Sequence, residues 1–150
     1  MRNVPTLELA DADVAIAAMR DALSREPKPA VIAVADAQGE LLALARLDGA
    51  PASSITIARN KAWTAATQGT PTRAIGARLR SADEAFDIAY YGDARACGWA
   101  GGLPVRDRDG HVVGAVAVSG LPELDDERIA AVGLAAIEQR LGISPARERA

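Results

Sequence analysis

Apolar residues recur at helical spacing from residue 9 to 24, where Val14, Ala18 and Ala22 form one row and Ile16, Met19 and Leu23 the next. Asp11 or Asp13 suits the N-cap, and the run Glu26-Pro27-Lys28-Pro29 stops the helix. The period then changes. Residues 30–49, AVIAVADAQGELLALARLDG, hold two apolar runs of strand length around the polar Asp36-Ala37-Gln38-Gly39, which predicts a β-hairpin. Both runs are apolar on both faces, so the sheet they join is expected to be covered on both sides.

Helical spacing returns over 51–68, with Ser53 or Ser54 as cap. Thr70-Pro71 opens a short helix reaching residue 80. Ser81 and Glu84 have capping-box spacing and predict a further short helix that ends at Gly92, after Tyr90 or Tyr91. Glycines at 92, 98, 101 and 102 then make GDARACGWAGGLPV the loop best able to bring backbone close to a ligand. Residues 103–120 read as strand, tight Asp109-Gly110 turn, strand. A last helix starts near Leu124 with Asp125, Asp126 and Glu127 at its positive end, buries Ile129, Val132, Gly133, Ala136 and Ile137, and closes at Gly142. No linker or repeat divides this order, so one domain over 1–150 is expected. Hairpins flanked by helices predict an α/β (α+β) fold, a three-layer α/β/α sandwich around a mostly antiparallel sheet.

Composition sharpens this picture. Hydrophobic residues make up 49% of the chain but aromatics only 3%, so the core is built from Ala, Val, Leu and Ile. An alanine-rich helix has little bulk to bury, and packing against a second subunit is a natural remedy. A net charge of -3 supplies no field for nucleic acid or an anionic membrane. No apolar run approaches the roughly 20 residues of a membrane span, and residues 1–23 lack the apolar core of a signal peptide. The single cysteine, Cys97, excludes an intramolecular disulfide and fits a reducing, cytoplasmic setting.

Candidate chemistry concentrates in ARNKAWTAAT, residues 58–67. On a helical wheel Ile55, Ala58, Ala62, Ala65 and Ala66 share one arc, Arg59 falls between Ala66 and Trp63 just inside it, and Lys61 sits on its other shoulder, roughly 160° away. One helix therefore does not aim both cations at one small anion. Each reads either as an edge residue with its stem on alanine surface and its head in water, or as a binding group. For Arg59 the alternatives are a bound anion, with the 98–102 loop flooring the pocket, or a carboxylate partner among Asp36, Asp48 and Glu84. Lys61 fits an interface. Trp63 reads as packing; Trp99, in the glycine loop, reads as a ligand or interface contact. For chemistry on a small organic acid, Arg46, Arg59 and Lys61 would hold the carboxylate, Gly101 and Gly102 would offer backbone N–H groups, and Asp36 or Glu84 would move a proton. No nucleophile elbow surrounds Ser54 or Ser119, and no zinc-type cluster is present.

The strings AVADAQGELLALARLDGA, SITIARNKAWTAAT, QGTPT, GGLPV, GAVAVSG and DDERIAAVGLAAI follow one another in an order that resembles the GlcG/HbpS-like family, over roughly residues 30–141. That family's members are labelled haem-binding or haem-degrading, and it includes the C-terminal domain of PduO-type corrinoid adenosyltransferases. The resemblance implies a profilin-like fold with a five-stranded antiparallel sheet, homo-oligomers from dimers to octamers, and haem or a related tetrapyrrole as ligand. Of the axial-ligand types iron accepts, this chain offers Cys97 in the mobile-looking loop and His111 after the Asp109-Gly110 turn, with Tyr90 and Tyr91 as packing residues. The leading expectation is an oligomeric binding protein for haem or another small anion, and the alternative is a cofactor-free enzyme or accessory protein acting on a small organic acid.

Overall fold

The computed structural model describes residues 1–143. Helix α1 (Leu9–Leu23) leads into strands β1 (Val31–Asp36) and β2 (Leu41–Arg46), followed by α2 (Ser53–Gln68), α3 (Thr72–Leu79), a single 3-10 turn (Ile88–Tyr91), strands β3 (Gly102–Arg106) and β4 (Val112–Ser119), and α4 (Glu123–Leu141). The sheet order is β2-β1-β4-β3, antiparallel throughout. Helices α1 and α4 pack together on one face, and α2 covers the other. This is the expected three-layer α/β/α sandwich.

The two faces of the sheet differ in bulk because side chains alternate along each strand. Ile32, Val34, Val116 and Val118 join Met19, Ile129 and Ile137 in the larger core under α1 and α4. On the opposite face Ala33, Ala35, Ala115 and Ala117 meet Ala58, Ala62, Ala65 and Ala66 of α2. Methyl-sized groups on both partners let α2 lie close to the sheet, so its alanine arc is buried within the fold itself rather than against a second subunit.

The predicted turns are present, with their reasons visible. Asp36 Oδ1 accepts from Gln38 N and Glu40 N, both at 2.9 Å, and closes the first hairpin. Asp107 Oδ1 does the same for Asp109 N and His111 N at 2.9 Å, with Gly110 at φ 86°. Helix α1 starts one residue after Glu8, whose N–H donates to Asp11 Oδ2 at 2.9 Å, so Asp11 closes the first turn from inside the helix instead of capping it. Helix α4 ends at Gly142, φ 66°.

Several expectations change. Val132, expected inside, is exposed on α4, and α2 begins at Ser53 with Ala52, not a serine, at its N-cap. The sheet has four strands among the described residues, not five: the segment before β3 is held by side chains rather than by a ladder. Thr64 Oγ1 of α2 donates to Arg95 O at 3.1 Å and accepts from Cys97 N at 3.0 Å, and Thr72 Oγ1 accepts from Gly102 N at 3.0 Å. The helix predicted over 81–91 is reduced to turns and the 3-10 turn. Ser81 Oγ does accept from Asp83 N and Glu84 N, but too few apolar residues follow to pack a longer helix onto the sheet.

Candidate functional site

The cation that enters the molecule is Lys61. It is 1% exposed and is the largest fully buried side chain among the described residues. Its Nζ donates to Val118 O and to Asp126 Oδ2, each at 2.9 Å, and so joins α2 to β4 and α4. Asp126 is buried as well, and its Oδ1 accepts from Leu121 N at 2.9 Å. A buried ammonium demands a partner of this kind. Burial pushes the Asp126 carboxyl above its ordinary value, opposed by the Lys61 charge and hydrogen bond and by backbone N–H donors. Lys61 is therefore neither a snorkelling edge residue nor exposed for an interface.

A cleft of about 400 Å³ opens onto this pair. It is lined by Ser53 and Ser54 at the start of α2, by Ser119 at the end of β4 with Gly120 and Leu121 after it, and by Glu123 and Asp126 of α4. Trp99 stands at the rim, 55% exposed. The N-terminal ends of two long helices thus face one opening, which places the positive ends of both helix dipoles there. Glu123 Oε2 accepts from Ala100 N at 2.8 Å and ties the glycine loop to α4. Gly101 and Gly102 lie buried behind Lys61. A Cβ on Gly101 would stand 2.8 Å from Lys61 Nζ and one on Gly102 2.5 Å from Lys61 O, so both glycines make room for the lysine rather than lining the cleft.

The other sequence candidates lie elsewhere. Arg59 is exposed on the opposite shoulder of α2, beside a recess of about 20 Å³ shared with Glu40, Trp63 and Arg95. The wheel geometry accounts for this: the shoulder that meets the glycine loop carries Lys61, so the pocket floored by that loop does not contain Arg59. Trp63 is buried as expected, with the Arg95 guanidinium 4.6 Å from its ring. Asp36 serves the hairpin turn, and Arg46 donates Nε and Nη2 to Ala50 O at 2.9 and 2.8 Å. Asp48 and Glu84 are exposed, away from the cleft.

Neither donor suited to iron faces the cleft. Cys97 lines a separate recess of about 270 Å³ on the far side of Trp99, and burial raises its thiol, which keeps it protonated near neutral pH. His111 is exposed on the second hairpin, with Nδ1 3.3 Å from Asp107 Oδ2. Among the described residues lining the cleft there is no His, Cys, Met or Tyr to ligate a porphyrin iron.

Sequence reasoning missed Asp126, Glu123, Thr64 and Thr72. Asp126 was legible only as one of three acids at a helix start.

Comparisons with known proteins agree with this architecture. Residues 7–135 match the family described as "Haem degrading protein HbpS-like". The protein ORFY of Klebsiella pneumoniae superposes with a TM-score of 0.86 at 30% identity, covering 92% of this chain and 94% of that one. A variant of HbpS from Streptomyces reticuli gives 0.79 at 31%, covering 90% and 89%. PduOC, solved as a heme complex, gives 0.79 at 24%, covering 87% and 94%, a likeness of fold alone. The chain belongs to the HbpS-like family.

Proposed function

We propose that this chain is a self-associating binding protein for a small organic anion with a planar part, seated in the cleft between Trp99 and the Lys61–Asp126 pair. The observation that carries the reading is the position of Lys61: a buried cation with three N–H groups, two of them used on Val118 O and Asp126 Oδ2, set in the wall of an open cleft. The N-terminal ends of α2 and α4 at the cleft favour a carboxylate, and the exposed indole offers a stacking face. Haem, named in the family description, carries carboxylates on a flat ring and is the first ligand to test. Ligation of its iron is not part of the proposal.

The experiment is titration of the purified chain with haem, followed by Soret absorbance and tryptophan quenching. Trp99→Ala is expected to weaken binding about tenfold, the loss of one stacked contact. Arg59→Ala is expected to leave affinity unchanged. An unaltered Trp99→Ala titration, or a large loss on Arg59→Ala, would move the site elsewhere.

One observation favours the alternative of a cofactor-free enzyme or accessory protein acting on a small organic acid. An ammonium and a carboxyl raised by burial lie 2.9 Å apart at the cleft wall, a proton donor and acceptor at one point. Turnover of a small carboxylate by haem-free protein, lost in Asp126→Asn with the fold intact, would select that reading.

A further inference from the structure

The seam between α2 and the sheet is alanine on both sides until it reaches the cleft, where it turns to hydroxyls. Ser54 lies one helical turn before Ala58, and Ser119 lies two residues after Ala117 on the same face of β4. They are 5% and 4% exposed, and both line the cleft. Neither Oγ has a hydrogen-bond partner among the described residues, and neither is sealed away from the opening. Alanine at either position would continue the seam without the cost of an unpaired buried hydroxyl. Two donors are thus left for a ligand at one mouth.

The charges around them are unequal. The first turn of α4 carries Glu123, Asp125 and Asp126, so that helix end already holds its own anions. The first turn of α2 carries no acid, and no side chain caps it. A ligand's negative group is therefore drawn to the serine end. Elsewhere among the lining residues Lys61 and Asp126 neutralise each other, and Glu123 is left as the one net charge. Its Oε2 accepts from Ala100 N, which leaves Oε1 to accept from a donor on the ligand and to repel a second anion.

We propose that the cleft takes a planar monocarboxylate carrying one hydroxyl or N–H donor, with the carboxylate on Ser54 Oγ and Ser119 Oγ, the ring on Trp99 and the donor on Glu123 Oε1. This narrows the anion-binding reading given above and rests on it. Both serine hydroxyls donate to the carboxylate in place of the water its oxygens lose, and the dipole of α2 adds to them. At about 400 Å³ the cleft is at the small end of the range for ligand sites, roughly 300–1,000 Å³, which suits a small aromatic acid. A second carboxylate inside the cleft would meet Glu123.

The test is isothermal titration calorimetry of the purified full chain with probes of one shape, namely 4-hydroxybenzoate, benzoate and terephthalate. 4-Hydroxybenzoate is expected to bind about threefold tighter than benzoate or better, and terephthalate weakest. Ser54→Ala and Ser119→Ala should each weaken 4-hydroxybenzoate about tenfold, with the melting temperature unchanged or raised, because the hydroxyl removed has no partner in the fold. Glu123→Gln should remove the discrimination against terephthalate. Trp99→Ala should weaken all the probes and reports on the cleft itself. If Trp99→Ala weakens binding while both serine variants bind as the parent does, the serine subsite is overturned and the cleft reading stands. A serine variant that melts lower, or a parent that binds terephthalate as tightly as 4-hydroxybenzoate, also overturns the proposal alone. If no probe binds, this ligand class is overturned, and the haem titration decides the broader reading by itself. A probe that binds Trp99→Ala as tightly as the parent lies outside the cleft, and both readings fall.

Discussion

Replacing Asp126 with Ala removes the carboxylate that receives Lys61 Nζ at 2.9 Å and the acceptor of Leu121 N. The ammonium then keeps Val118 O as its remaining protein partner, at 2.9 Å. Removing one member of a buried ion pair costs about 3–5 kcal/mol, because the other charge stays desolvated. Lys61 and Asp126 are 1% and 2% exposed, so water does little to replace the lost partner, and a loss of at least about 3 kcal/mol is expected. That is a large share of the roughly 5–15 kcal/mol by which a domain is stable. With a urea slope of about 2 kcal/mol per molar, the unfolding midpoint should fall by about 1.5 M, and the melting temperature by roughly 6–12 °C. Equilibrium urea unfolding followed by tryptophan fluorescence and circular dichroism measures it. The double variant Lys61→Met with Asp126→Leu removes both charges and should come back to within about 1 kcal/mol of the parent. If Asp126→Ala costs less than about 1 kcal/mol, or the double variant is no better than the single one, the buried pair is not what couples α2 to α4.

Gly76→Ala should destabilise the fold and displace the glycine loop, since its Cβ would stand 1.8 Å from Gly98 O; the cost should reach about 1–3 kcal/mol by urea unfolding, and a silent substitution would refute the close approach. The Cys97 thiol, raised by burial, should react slowly with iodoacetamide at neutral pH, the rate climbing only above the pH at which a free thiol ionises; a rate equal to that of a free thiol across the range would contradict the burial. Burial likewise raises the Glu138 carboxyl. The folded state then binds more protons than the unfolded one between the ordinary glutamate value and the raised value, so this group's contribution is fully present below that window and is lost as pH rises through it. Glu138→Gln should accordingly raise the unfolding midpoint at pH 7 and leave it unchanged well below the carboxylate range; equal midpoints at both pH values would reject the shift.

The candidate site was legible in part. From residue types and spacing a pocket floored by the 98–102 loop was expected, with Arg59 at its end and Trp99 as a ligand or interface contact; the cleft takes only Trp99 from that loop. Which cation turns inward was not legible. The wheel puts Arg59 just inside the alanine arc and Lys61 on its other shoulder, which favours Arg59 as the binding cation; only the neighbours that each side meets in the fold reverse that choice. The neighbours are distant in sequence: Val118 lies 57 residues from Lys61 and Asp126 lies 65. No local rule links them. Asp36 and Arg46 were misjudged for the opposite reason, as charges that looked free were committed to loops within four residues of themselves.

By itself the sequence determined the four α-helices, though not the fate of residues 81–91, together with the two hairpins and the layered architecture, because hydrophobic period, prolines, glycines and capping acids act over a few residues and their effects are nearly independent of what lies beyond. The tertiary structure alone decided that alanines from α2 meet alanines from the sheet, that the glycine loop hangs from Thr64 and Thr72, and that Lys61 rather than Arg59 turns inward. Those outcomes depend on which surfaces a helix meets once the chain is packed, and on desolvation, which a charge experiences only when distant segments close around it.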